Sequence, residues 1–324
     1  MKKVWFLSSL LVLFAGTSVL LPSASVNAQP PDAIAQQSPS APIVPQTQVE
    51  LLNAGAAPRQ QLRFSPQVNH QQTLKMTLNM DVKTLLNGQD SVPFTSPAMV
   101  MVVQTDVTKV DTNGDIHLNF VYTDAAAIPG SGTPPVAVNA IDTYLKTLVG
   151  LKQALVMDAL GNAKQPLDFA LPATLDPGSR QLLQQIADSF QQLTVPLPQG
   201  AVGIGAQWRA TQSLNLNGIA LTQTVLYEIV NLQGNAVTVK ATVDQQAPPQ
   251  ELQLGQPADI AINLLQLASQ GSSTFTFSLD RIVPDRAEAT ITTNTRMMAR
   301  DATGHARSNQ IETNAIIKMK LEPQ

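Results

Sequence analysis

The stretch that decides the fold is PQGAVGIGAQWRATQSLNLNGIALTQTVLYEIVNLQGNAVTVK, residues 198–240. Within it, apolar and polar residues alternate, and this period of two indicates β-strands with one buried face. Asn217-Gly218 and Gln233-Gly234-Asn235 interrupt the alternation with residues that tight hairpin turns prefer. The stretch therefore predicts an antiparallel meander, with strands at 207–216, 219–231 and 236–246.

The same alternation recurs on both sides of this meander. Strands are predicted at 74–82, 99–107, 116–122, 273–279, 287–300 and 306–321. Residues 260–267 are apolar without a clear period, so strand and helix both remain open there. Most of the chain is therefore expected to form antiparallel strands.

Two segments carry apolar residues at helical spacing instead. Apolar residues recur at intervals of three and four from Ile141 to Leu148, which predicts an amphipathic helix over 138–149. A second such stripe follows the helix-capping residue Asp176 and predicts a helix over 177–193. The predicted fold class is α+β, mostly antiparallel β: a long curved sheet or half-barrel with two amphipathic helices packed on one face.

Composition divides the chain into three regions. Residues 1–28 combine two lysines, an apolar run and a small-residue end, which is typical of a signal peptide; an uncleaved membrane anchor is the alternative. Residues 29–58 are rich in Pro, Gln and Ser and predict a disordered tether. Residues 59–324 are predicted to form a single β-rich domain. A faint repeat divides this domain into halves, 59–170 and 195–324, joined by a helix; duplication and chance both explain it.

The overall composition excludes several classes of function. The formal net charge is -3, with 20 Lys and Arg against 23 Asp and Glu, so nucleic acid is not expected as a partner. The absence of Cys excludes disulfides, thiol nucleophiles and thiolate metal sites. No apolar run after residue 28 is long enough to span a membrane, so we expect a periplasmic or secreted protein after cleavage of the signal peptide.

Three groups of residues suggest chemistry, but their spacing is wrong for it. Gly203-Ile204-Gly205 lacks the third glycine and the following helix of a dinucleotide site. Residues 111–115, DTNGD, lack the glycine and glutamate positions of a calcium loop and predict a hairpin turn. His70, His117 and His305 show no metal-ligand spacing. We therefore predict that the protein is not an enzyme and has no catalytic residue, metal site or cofactor.

The predicted core contains a cluster of methionines around Met76, Met80, Met99 and Met101. Their thioethers suit either a Cu(I) site or an adaptable apolar core, and we favour the core or the lining of a ligand site. The side chains predicted to line a hydrophobic ligand are Met76, Met80, Met101, Phe120, Ile186, Phe190 and Trp208.

One short motif resembles the hallmark of a known family. It is P-x3-V-G-x-G-x2-W-R, formed here by Pro198, Val202, Gly203, Gly205, Trp208 and Arg209. It resembles a motif of an uncharacterised family of bacterial exported proteins, and the similarity extends over most of 62–324. This resemblance implies no activity. The layout of long antiparallel strands with two helices is also similar to the open half-barrels of periplasmic lipid carriers, a likeness of fold that does not determine function.

These observations together predict an exported, non-catalytic protein of the cell envelope. We expect it to bind a hydrophobic small molecule or lipid between sheet and helices, where an apolar space would form. The alternative is a tethered scaffold or protein-interaction module that presents strand edges or polar faces to another envelope protein.

Overall fold

The structure is a computed structural model that describes residues 47–90, 94–130, 132–164, 168–169, 196–216, 218–252, 260–301 and 309–324. Several predictions lie outside these residues. They are the signal peptide, most of the tether, the helix at 177–193, Asn217 and His305.

Fifteen strands and one helix form in the described ranges. The strands are β1 Gln48–Asn53, β2 Gln71–Leu86, β3 Gln89–Asp90, β4 Phe94–Thr95, β5 Ala98–Val110, β6 Ile116–Ile128, β7 Lys152–Met157, β8 Asp168–Phe169, β9 Gln207–Leu216, β10 Ile219–Gln233, β11 Ala236–Ala247, β12 Gln250–Leu252, β13 Ile260–Ser278, β14 Arg286–Asp301 and β15 Asn309–Pro323. The helix is α1, Pro135–Lys146.

All of these strands join one antiparallel sheet. Its order is β1-β9-β10-β11-β13-β14-β15-β2-β5-β6-β7-β8, with β12 beside β13 and with β3 and β4 beside β2. Most neighbours in the sheet are also neighbours in the chain, as the turn residues predicted. Because β1 and β8 end this order, the described sheet is open.

The predicted α+β class is wrong, because the protein is nearly all β. Strands make up 65% of the structure, and α1 is the one helix in the described ranges. The strands run longer than the apolar alternation showed, because small residues also occupy buried positions. β6, for example, continues past the predicted end at residue 122 to Ile128, with Ala125 and Ala127 on its buried side.

β13 shows the same effect most clearly. We predicted a separate strand at 273–279 and left 260–267 open, but β13 runs through both for 19 residues. Its buried positions include Ser269 and Ser273. At Gly271, between them, a Cβ atom would overlap the side chain of Ile291 on β14. Because polar and small residues occupy the buried side of β13, its sequence does not show a two-residue apolar period.

α1 confirms the first predicted helix and moves it by three residues. It begins at Pro135, whose missing N–H costs nothing at a helix start. Leu145 is buried, and the Ala127 N–H of β6 donates to Asp142 Oδ1 at 3.0 Å. The helix is thus tied to β6 both by packing and by a hydrogen bond.

The predicted tether ends before residue 58. Residues 48–53 form β1, which pairs with β9 in an antiparallel register. Val49 packs against the core, and pairing satisfies the backbone groups along one edge of the strand. The next segment, residues 54–70, crosses one end of the sheet, and we call it the strap. The division of the domain into duplicated halves stays a prediction.

One face of the sheet is buried across the long strands, and the sheet is curled around it. We call the part of the sheet around β9 and the part around β7 its two wings. Leu197 lies in the segment that leads into β9, and Leu160 follows β7. The Leu197 N–H donates to Leu160 O at 2.8 Å, although β9 and β7 are distant in sheet order. The strap joins the two wings at the same end through backbone hydrogen bonds of Gln60 with Val202, Phe64 with Ala159, and Ser65 with Leu279. We call this the strap end. At the opposite, far end, the backbone hydrogen bonds found among the described residues do not join the two wings.

Candidate functional site

Trp208 anchors the strap end. Its side chain is fully buried on β9 and stacks on Tyr227 of β10, with ring centroids 5.1 Å apart. The indole Nε1–H donates to Pro196 O at 3.0 Å. A buried indole is stable only when its N–H has a partner, and here a backbone carbonyl provides it.

The glycines of the motif serve backbone packing. Gly203 lies against the strap, and a Cβ atom there would overlap Ala56 O. Gly205 has a φ of 78°, which favours glycine, and its N–H donates to Ile229 O at 2.8 Å. The turn is followed by β9, as predicted, and not by the helix that a dinucleotide site needs. Arg209, the last residue of the motif, forms a surface ion pair with Glu50 at 3.2 Å.

Five of the predicted lining residues lie on the buried face. Met76 and Met101 are direct cross-strand partners, and both are buried, as is Met80. Phe120 is half-buried and packs against the same core. Trp208 is buried at the strap end, and Ile186 and Phe190 lie outside the described residues. Their role as a ligand lining stays a prediction.

A row of polar side chains crosses the same buried face. Its members are direct cross-strand partners on five successive strands, β9, β10, β11, β13 and β14. They are Gln212, Gln223, Gln245, Ser269 and Thr293, and all are at most 5% exposed. We call this set the glutamine row. With strands about 4.8 Å apart, it extends over about 19 Å.

The glutamine row satisfies only part of its hydrogen-bonding capacity. The Gln245 amide donates to Gln223 Oε1 at 2.5 Å, and the Thr293 hydroxyl donates to Ser269 Oγ at 2.8 Å. Gln212 Oε1 accepts from the Thr47 hydroxyl at 2.8 Å. Among the described residues, however, Gln212 Nε2, Gln223 Nε2 and Gln245 Oε1 are buried without a partner.

These three atoms are part of a larger set. The structure has seven such atoms in its described ranges, and the other four belong to His70, Gln153, Ser273 and Thr295. Each buried polar atom left unpaired destabilises the folded state by about 1–3 kcal/mol. Three of the seven atoms thus lie in one row of the sheet.

The residues next to the glutamine row are mostly apolar; the exception is Thr295 on β14, which is buried beside Leu267 on the far side. On the strap side, Ala210, Val225 and Val243 are buried on the same strands. On the far side the buried residues are Leu214, Leu221, Ala247 and Leu267. On β9, β10 and β11 the polar row thus lies between apolar residues on both sides.

The buried face carries no charge in the described ranges. Its buried polar side chains are Gln, Ser and Thr. Burial raises the pKa of the Tyr122 and Tyr144 phenols well above their usual range, so both stay neutral. An interior of this kind favours uncharged ligands, because a buried charge without a partner is strongly destabilising.

The outer face carries a shallow groove of different character. It has a volume of about 530 Å³ and is lined by Lys240, Glu288, Lys318 and Lys320, with Ser and Thr hydroxyls between them. The groove is open and polar, so it does not suit a hydrophobic ligand.

The predicted hairpin turn at 111–115 is confirmed. Asp111 N–H donates to Asp115 O at 2.8 Å, and Asn113 Oδ1 accepts from the Asp115 N–H. Lys109 and His117 both contact the Asp111 carboxylate and lower its pKa. Among the described residues, no three His, Asp or Glu side chains come together as metal ligands.

Comparison with known proteins adds little to this geometry. No protein-family model matches the chain, and no curated protein matches it. Of the solved structures, OccK2 (OpdF) of Pseudomonas aeruginosa is 6% identical with a TM-score of 0.22, over 80% of this chain and 99% of that one. OmpF of Salmonella typhi, in complex with daunomycin, is 8% identical with a TM-score of 0.20, over 78% of this chain and 98% of that one.

A loop-deletion mutant of OmpT, an outer membrane protein of Vibrio cholerae, is 9% identical with a TM-score of 0.19, over 78% of this chain and 99% of that chain. At TM-scores this low, the likeness to these proteins carries no argument. In the described ranges, no helix has the length and hydrophobicity needed to cross a bilayer.

Sequence reasoning missed the glutamine row. The glutamines interrupt an apolar series at positions that the alternation assigns to the buried face, as Gln223 does between Leu221 and Val225. One such interruption is unremarkable. Its recurrence at the same level of successive strands is visible only when the registers are known.

Proposed function

We propose that this protein is exported to the cell envelope and binds a hydrophobic small molecule or lipid on the buried face of its curled sheet, without catalysing a reaction. The signal-peptide pattern of residues 1–28 supports export. The fold supports binding, because a curled sheet with one apolar face encloses an apolar interior.

The observation that carries this proposal is the asymmetry of the curl. The strap and Leu197 join the two wings at one end through backbone hydrogen bonds, whereas the backbone hydrogen bonds of the described residues at the far end do not join them. The far end is therefore the natural entrance for a ligand. The methionines support this role, since their unbranched side chains adapt to ligands of different shape.

The test is to isolate the full chain from its native host and analyse the bound lipid. The protein is purified without detergent and extracted with organic solvent, and the extract is examined by mass spectrometry. We expect one lipid class at near-stoichiometric amount. In parallel, the lipid-free protein should enhance the fluorescence of diphenylhexatriene, a hydrocarbon probe. A protein that carries no lipid and does not bind the probe would contradict the proposal.

A second candidate function, a protein-interaction module, is supported by β1. In the described part of the sheet β1 pairs with β9 only, which leaves its other edge available for strand addition. Leu51 and Leu52 on this strand are 37% and 40% exposed. Capture of one stoichiometric envelope protein, abolished by Leu52→Lys and retained by Leu226→Lys, would favour this function over ligand binding.

A further inference from the structure

The unpaired hydrogen-bonding atoms of the glutamine row define which donors and acceptors a ligand must offer. Two amide nitrogens, Gln212 Nε2 and Gln223 Nε2, offer N–H donors, and Gln245 Oε1 offers an acceptor. A complementary group has at least two acceptor oxygens and one donor. Ester and hydroxyl groups on neighbouring carbons fit this description.

We propose that the glutamine row binds the uncharged, oxygen-rich part of a neutral acyl ester lipid, with diacylglycerol as the model ligand. This inference rests on the proposed function and specifies its ligand. The ester carbonyl oxygens accept from Gln212 and Gln223, and a hydroxyl group donates to Gln245.

The surroundings of the row exclude a charged headgroup. The buried polar side chains in the described ranges include no Lys, Arg, Asp or Glu. A phosphate or carboxylate at this position would have no counter-charge, and burying such a group costs far more than amide hydrogen bonds return. The lysines of the outer groove lie on the opposite face of the sheet.

The apolar residues on both sides of the glutamine row on β9, β10 and β11 favour a polar group within a long hydrocarbon; on β14 the far-side neighbour is Thr295. Val225 and Val243 lie on the strap side of the row, and Leu221 and Leu267 lie on the far side. An acyl ester lipid has this layout, because acyl chains extend from both sides of its oxygen atoms. A detergent-like molecule with a single terminal headgroup would leave the apolar residues on one side of the glutamine row without a hydrocarbon chain to pack against.

The experiment compares two probes on the lipid-free full chain. Dioleoylglycerol tests the row, and diphenylhexatriene, which has no oxygen, tests the apolar face alone. The variant is Gln223→Met with Gln245→Met, because Met keeps the length of Gln and removes the amide. Gln246→Met is the matched control, since Gln246 is the next residue on β11 and is exposed on the outer face.

We expect the double variant to bind dioleoylglycerol at least about tenfold more weakly, the equivalent of about one hydrogen bond. Its affinity for diphenylhexatriene and its circular dichroism spectrum should equal those of the wild type, and the control should bind both probes normally. If the double variant does not fold, the single variant Gln212→Met provides the same comparison.

The possible failures are distinguishable. If the wild type binds neither probe, the proposed function is wrong, and this inference is wrong with it. If the wild type binds both probes and the variants retain dioleoylglycerol, the inference alone is overturned, and buried water satisfies the amides. If anionic phosphatidylglycerol vesicles deliver lipid better than dioleoylglycerol does, the uncharged class is wrong.

Discussion

The strap end and the glutamine row both include residues on the buried face of β9 and β10, yet the hydrogen bonding of their polar groups differs. At the strap end, the Trp208 indole is bonded to Pro196 O, and the strap backbone pairs with both wings. In the glutamine row, three amide atoms are equally buried and have no partner in the described ranges, whereas the strap has one such atom, His70 Nε2. The strap end therefore contributes stability, whereas the row loses stability through its unpaired amide atoms; on our proposal, these atoms bind a ligand.

The largest effect is expected from removal of Trp208. Trp208→Ala should lower the free energy of unfolding by about 3–5 kcal/mol, because it empties a fully buried site and leaves Pro196 O unpaired. Denaturant unfolding followed by far-UV circular dichroism measures this change. Leu226→Ala, on the exposed side of the neighbouring strand, is the control and should cost less than about 1 kcal/mol. Equal losses in both variants would show that the strap end is not the stability centre.

Gly203 tests whether the strap must approach the sheet so closely. Gly203→Ala should cost about 2–3 kcal/mol, because the new Cβ overlaps Ala56 O, a backbone atom that cannot move independently. Gly205→Ala is the matched comparison, since its Cβ meets nothing within 4 Å and only its positive φ is strained. It should cost about 1 kcal/mol. A cost for Gly203→Ala no larger than for Gly205→Ala would indicate that the strap moves freely.

The glutamine row should respond with the opposite sign. In lipid-free protein, Gln223→Met with Gln245→Met should leave the free energy of unfolding unchanged or raise it by about 1 kcal/mol, because both partners of a hydrogen bond and two unpaired amide atoms disappear together. Gln246→Met should change it by less than about 0.5 kcal/mol. A large loss of stability in the double variant would show that the row is structural, and the contrast with the strap end would then disappear.

The same contrast explains how much of the fold could be predicted from the sequence. The meander around Trp208 was predicted almost to the residue, because Val225, Tyr227 and Ile229 alternate without interruption and glycine turns bound the strands. β13 was divided wrongly, because Ser269, Gly271 and Ser273 occupy its buried side. Periodicity detects apolar residues, so it fails where polar residues are buried.

Of the predicted lining residues, Met76, Met80 and Met101 are buried, as predicted for the core; their role in lining a ligand stays a prediction. The glutamine row depends on the register between five strands, which local sequence does not contain. β1 was missed for a similar reason: its pairing with β9 joins segments about 160 residues apart in sequence, although its neighbourhood has a tether-like composition.

Acid should affect the strap end and leave the glutamine row unchanged. Hydrogen bonds from Lys109 and His117 lower the pKa of Asp111 below its usual range, so this carboxylate contributes stability above the pKa of the unfolded state and loses that contribution as the pH falls through its folded pKa. The stability difference between wild type and Asp111→Asn should therefore be constant near neutral pH and vanish in acid, as measured by denaturant unfolding at each pH.

The glutamine row has no titratable group, so the affinity for dioleoylglycerol should change less than about twofold between about pH 5 and pH 8. A clear pH dependence of that affinity would mean that a charged group takes part in binding, which would contradict an uncharged site.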